Sequence, residues 1–173
     1  MKQLFILIDV SGSIALGDSP KLGQINDTVR DMLVAANGKY TSAYVIIYSD
    51  MPRIYWQSSA LAPFEDLTEY HMGGLSNLGK AYAFVEETMA ANSTIPKDVC
   101  TVLLSDGEAT DDCEKALLQL DPNNEMARIA VSLYPGYTEI IERHAIKREM
   151  IFTDIGSSSI RDELIDEVLL NLA

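Results

Sequence analysis

The chain is 173 residues long, 47% hydrophobic and 23% charged, with 13 Lys and Arg against 26 Asp and Glu for a net charge of −13. That length supplies one ordinary hydrophobic core, so residues 1–173 are expected to form a single domain. The acidic balance removes the main driving term for phosphate-backbone binding and repels anionic lipid, and no apolar run approaches the roughly 20 residues of a membrane helix, so neither nucleic acid nor membrane is an expected partner.

The opening MKQLFILIDV sets a lysine before an apolar stretch, yet the stretch is too short for a secretion signal and ends in Asp9 without a cleavage-like segment. It reads as the first strand. Beyond Asp9, hydroxyls stand at alternate positions, Ser11 and Ser13, and Gly12 lets the backbone turn between them. Three oxygen side chains on one small loop form a hard-cation cluster suited to magnesium or manganese rather than zinc. A strand end followed by a helix-capping serine would use the same residues structurally.

Next, Pro20 behind the candidate caps Asp18 and Ser19 opens a helix whose Leu22, Ile25, Val29, Met32, Leu33 and Ala36 recur at helical spacing, and Asn37 and Gly38 end it. The runs AYVIIY and RIYWQ are so close in sequence that they predict an antiparallel hairpin at a sheet edge, where packing accounts for Trp56. Residues 73–81, GGLSNLGKA, form a glycine-rich turn before a second helix that buries Leu78, Ala81, Tyr82, Val85 and Met89. Ser76 is placed at or near its start, where the hydroxyl could both cap and coordinate.

The run VCTVLLS is continuously apolar, as in a strand buried on both faces, and delivers Ser105, Asp106 and Gly107 at its exit. A helix over Asp111 to Leu120 follows, with Ala116, Leu117 and Leu120 inward and with Glu108, Asp111 and Asp112 read as its capping and dipole partners. After the strand run RIAVSLY, Tyr134 and Tyr137 flank a Pro-Gly turn and are read as packing or turn residues, with partner contact as the alternative. A helix beyond Gly136 carries Ile140, Ile141 and Ala145; the strand run EMIFTD follows, then a last helix with Ser159 and Asp162 at capping-box spacing and Leu164, Ile165, Val168 and Leu169 inward. Asp50 and Asp154 read as solvated strand-end residues.

Cys100 and Cys113 lack any short spacing for zinc or redox chemistry, so two free thiols point to a reducing cytoplasm. His71 and His144 read as a loop residue and a helix-face residue, neither placed as a catalytic base. The alternation of strand and helix predicts an α/β layered fold with a mostly parallel sheet. In such a sheet ligands bind outside the carboxyl ends of the strands, which is where Asp9 and Asp106 fall, with the Ser76 turn as a third oxygen source.

On these residues the chain resembles the von Willebrand factor type A (vWA) domains over essentially its full length. Their metal-ion-dependent adhesion site (MIDAS) combines D-x-S-x-S, a threonine in a G-x-T turn and a later [TS]-D-G aspartate, here Asp9, Ser11, Ser13, Ser76 and Asp106. Serine stands where the family has threonine. The resemblance implies a three-layer, doubly wound Rossmann-like fold of about six strands with one antiparallel edge strand and helices on both faces. It implies direct ligation by Ser11, Ser13 and Ser76, with Asp9 and Asp106 acting through ordered waters, around Mg2+, with Mn2+ or Ca2+ as alternatives. An Asp or Glu carboxylate of a protein partner would complete the octahedron, which makes the chain a metal-dependent binding module or scaffold, not an enzyme. It is more similar to stand-alone bacterial proteins of the tellurium-resistance (TerY-like) type, which are thought to act beside kinases and phosphatases, than to the adhesive extracellular members.

Two enzymatic readings compete. Gly74 to Lys80 spells G-x-x-x-x-G-K, but Ala81 stands where a phosphate-binding loop needs Ser or Thr, and no strand-like run precedes it. Asp9 after a first parallel strand would suit a phosphotransfer nucleophile, but Ser11 replaces the second aspartate of D-x-D.

Overall fold

All seven residues of β1, Gln3–Asp9, are buried, as expected of a central parallel strand covered on both faces. The computed structural model describes residues 1–15 and 21–173. After β1 come α1 (Gly12–Ala15), α2 (Lys21–Ala36), β2 (Ala43–Tyr48), β3 (Pro52–Gln57), α3 (Leu78–Ala91), β4 (Val99–Ser105), α4 (Cys113–Leu120), β5 (Ala127–Ser132), α5 (Glu139–His144), β6 (Ile151–Thr153) and α6 (Ser158–Leu172). They form a six-stranded sheet in the order β3-β2-β1-β4-β5-β6, parallel except for β3.

β3 is the antiparallel edge strand that the short β2–β3 link predicts. It carries Pro52 at its start and exposed Arg53, both of which discourage further strand pairing, and its register against β2 shifts between Val45 and Ile46. The chain runs outward from β1 to β3, then crosses back to β4 on the other side of β1. Right-handed crossovers in the two directions put helices on opposite faces. α2 packs with α6, while α3 packs with α4 and, through the Tyr82–His144 ring stack, with α5. The core fills both interfaces: Leu4 to Ile8 of β1 are fully buried, and burial of side chains of this size stabilises by about 1.5–3 kcal/mol each.

Several sequence expectations shift in detail. The candidate caps Asp18, Ser19 and Pro20 lie outside the described residues. Gly38 ends α2 with φ +76°, a left-handed conformation that glycine adopts without penalty. The short α1 begins at Gly12, directly after Ser11, where a strand end followed by a helix-capping serine is one reading of the sequence. α6 starts one residue before Ser159, so the Ser159–Asp162 capping box does not form; the Ser159 hydroxyl instead sits 3.0 Å from that of Ser157. α3 begins at Leu78, two residues past Ser76. Among the described residues, no helix is long and apolar enough to cross a membrane.

Candidate metal centre

The sheet reverses its winding at β1, and the crevice between the carboxyl ends of β1 and β4 is the switch point where open α/β sheets place their ligands. Ile8 pairs with Leu104, which brings Asp9 level with Ser105 and next to Asp106. Asp9 is fully buried and Asp106 is 4% exposed. The Asp9 carboxylate accepts the Ser11 backbone N–H at 2.9 Å, the Ser76 hydroxyl at 3.1 Å and the Ser105 hydroxyl at 2.9 Å. Ser13 donates to Asp106, whose other oxygen accepts the Glu108 N–H at 3.1 Å, and the Ser11 and Ser13 hydroxyls lie 3.1 Å apart. The five residues singled out in the sequence thus converge on one crevice.

Burial pushes the Asp9 carboxyl above its ordinary range and the nearby Asp106 adds to that, while hydrogen bonds from Ser11 and Ser105 pull the other way. Among the described residues, no Lys, Arg or His forms an ion pair with Asp9 or Asp106. Two buried carboxylates without a cation are costly, and proteins normally resolve that cost by pairing, protonation or a metal. The donor chemistry suits a hard cation: each serine hydroxyl has one proton to give a carboxylate and lone pairs left over. No group of three or more His, Cys, Asp or Glu placed to hold a metal occurs among the described residues, so direct ligands would have to include hydroxyls.

Three loops are laced together around this crevice by backbone contacts. Gly73 N–H donates to the Val10 carbonyl at 2.8 Å and Gly12 N–H to the Gly74 carbonyl at 3.0 Å, which ties the Ser11–Ser13 loop to the Ser76 turn. Asp50, expected as a solvated strand end, accepts the Leu75 N–H at 2.7 Å and sits where a Cβ on Gly74 (φ +87°) would come within 2.8 Å of its carboxylate oxygen. Thr110 N–H donates to the Ser76 carbonyl at 2.8 Å, and the Thr110 hydroxyl accepts the Ser76 N–H at 3.1 Å. Farther out, the Asn26 amide brackets the backbone of Leu67 with bonds of 2.9 and 2.8 Å, anchoring the long β3–α3 connection that carries Ser76.

Ser76 therefore does not cap α3. Its hydroxyl is directed to Asp9 and to the Glu108 carbonyl, 2.9 Å away, and the N-terminus of α3 is capped from another loop. Asp111 accepts Gly79 N–H at 2.8 Å and Lys80 N–H at 3.0 Å, while Asp112 caps α4 through Lys115 N–H at 3.2 Å. Asp111 thus serves α3 rather than the helix it precedes. This also tells against a phosphate loop at Gly74 to Lys80: the N–H groups that would cradle an anion already hold a carboxylate.

Sequence reasoning missed the bond from Ser105 to Asp9, the role of Thr110 and the capping of α3 by Asp111. Ser105 had a signal, being the last inward residue of an apolar strand beside Asp106; Thr110 and Asp111 had none, since their partners are 31 to 34 residues away. Tyr134, expected to pack or turn, is 39% exposed and donates its hydroxyl to the Ser13 carbonyl at 3.3 Å, with Lys21 Nζ 3.2 Å from its ring centroid. His144 is fully buried between Tyr82 and Thr101, and the Asp9 carboxylate is shut off from solvent, which leaves no exposed base or nucleophile among these groups.

No family model matches the sequence, and no curated protein does. Solved structures share the fold. Proximal thread matrix protein 1 from the mussel byssus, in a structure with a zinc-occupied MIDAS motif, superposes with a TM-score of 0.74 at 18% identity over 97% of this chain and 48% of that one. The ArnB paralog VWA2 from Sulfolobus acidocaldarius gives 0.64 at 20% identity over 95% of this chain and 44% of that one. BatB from Bacteroides thetaiotaomicron gives 0.74 at 12% identity over 99% and 98%. The chain thus spans about half the length of the byssus protein. At these identities the likeness establishes the fold, a vWA-type three-layer α/β architecture.

Proposed function

We propose that this chain is a metal-dependent protein-binding module, folded as one domain, whose divalent cation is held by Ser11, Ser13 and Ser76 directly and by Asp9 and Asp106 through water. The observation that carries the reading is the pair of buried carboxylates, joined by serine hydroxyls and paired with no basic side chain among the described residues. A bound Mg2+ or Mn2+ would supply a positive centre that an Asp or Glu of a partner completes. The chain's own residues do the rest. The laced loops hold the hydroxyls in place before binding, so little ordering entropy is lost when the cation arrives. Ser105 and the Ser11 N–H keep the Asp9 carboxylate oriented.

The byssus protein with zinc in its MIDAS shows that this fold can hold a divalent ion there; the hydroxyl and carboxylate ligands of this chain favour a harder ion. Free Cys100 and Cys113 fit a reducing compartment such as the cytoplasm, where a tellurium-resistance-type scaffold would work. The test is calorimetric titration of Mg2+ and Mn2+ into chelator-stripped protein beside the Ser11→Ala/Ser13→Ala variant. One saturable site, weakened at least about tenfold in the variant, is expected. Equal binding by both proteins would move the metal elsewhere.

A further inference from the structure

A groove of about 400 Å3 opens beside this crevice, at the carboxyl ends of β5 and β6, with Gln24, Ser132, Tyr134, Thr153 and Asp154 among its walls. Tyr134 is shared ground: it lines the groove and its hydroxyl holds the Ser13 carbonyl of the metal loop. Asp154 adopts φ +59°, a left-handed conformation uncommon outside glycine, and the carboxylate of this exposed residue has no hydrogen bond or ion pair among the described residues. Of the acids nearby, Asp50 holds the Leu75 turn, and Asp111 and Asp112 cap helices.

We infer that this groove is a second subsite for the same partner and takes a Lys or Arg side chain, which Asp154 pairs while the partner's carboxylate sits at the metal. The inference rests on the metal-completing reading above. Charge supports it: a chain of net charge −13 attracts partners whose lone carboxylate is embedded in basic sequence. Spacing makes it specific. β6 lies two strands from β4, so Asp154 is roughly 10 Å from the exit of β4 at about 4.8 Å per strand. An extended peptide advances about 3.3–3.6 Å per residue, which places the basic residue two to four positions from the acidic one.

The experiment is selection of a random peptide library on the immobilised full chain in Mn2+, with elution by chelator, followed by titration of the selected peptides against wild type and Asp154→Asn. Asn tolerates the left-handed backbone, so the variant keeps the loop. Eluted peptides should carry Asp or Glu with Lys or Arg two to four residues away, and Asp154→Asn should bind them about three- to tenfold more weakly while remaining chelator-sensitive. An acidic consensus with no basic residue, or a basic preference that survives Asp154→Asn, overturns the subsite and leaves the metal reading standing. Failure to elute any peptide with chelator overturns both.

Discussion

The protein buries two polar clusters on opposite sides of β4, and they are settled differently. On the α3–α5 flank, Arg128 is ion-paired to Asp121 with both side chains buried, and it also donates to the His144 carbonyl at 2.8 Å and to Asn124 at 3.2 Å. Asp121 further accepts the N–H groups of Glu125 and Met126, and His144 lies between the hydroxyls of Tyr82 and Thr101 at 2.7 and 3.3 Å. Every charge there has its counter-charge within the chain. At the switch point, Asp9 and Asp106 have hydroxyls and N–H groups but no cation among the described residues. A buried polar network that closes on itself holds the fold, whereas one that is a positive charge short is where the proposed cation would bind.

That difference is open to test. Asp121→Ala strands Arg128 in the interior and should cost about 3–5 kcal/mol in urea unfolding. Asp9→Asn in metal-free buffer should be neutral or stabilising, by up to about 1 kcal/mol, because it removes a buried charge and the repulsion from Asp106. Asn is the better probe than Ala, since Ala would orphan the donors of Ser11, Ser76 and Ser105. Comparable losses in Asp121→Ala and Asp9→Asn would erase the distinction.

A second way to sharpen it is pH. Burial, with Arg128 adding to it, pushes the His144 imidazole down to about 3. His144 therefore stays neutral in the fold while the unfolded chain takes up a proton below about 6.5, so stability is retained at neutral pH and falls on acidification by about 1.4 kcal/mol per unit toward 3. His144→Gln should lose about 2 kcal/mol less than wild type between pH 7 and 5, read from urea midpoints. Parallel pH profiles would mean that His144 is not held neutral.

Much of this architecture was written in local pattern. Continuous apolar runs marked β1 and β4 because both faces of a central parallel strand are covered, and the short β2–β3 link marked the antiparallel edge. Asp9, Ser11 and Ser13 were legible because they share one loop, and Asp106 because it ends an apolar strand. What stayed hidden depends on contacts distant in sequence. The start of α3 is set by Asp111, so Ser76 was misread as a cap; the Thr110 clasp and the Tyr134 tether to Ser13 likewise join loops that only the folded sheet brings together.

The central claim is that the switch-point carboxylates are completed by a cation. Urea unfolding of wild type and Asp106→Asn, each with chelator and with Mn2+ at about a hundred times the dissociation constant of wild type, tests it most directly. Wild type should gain about 2.7 kcal/mol from the metal and the variant almost nothing. No gain in wild type, or the same gain in both proteins, would contradict the account.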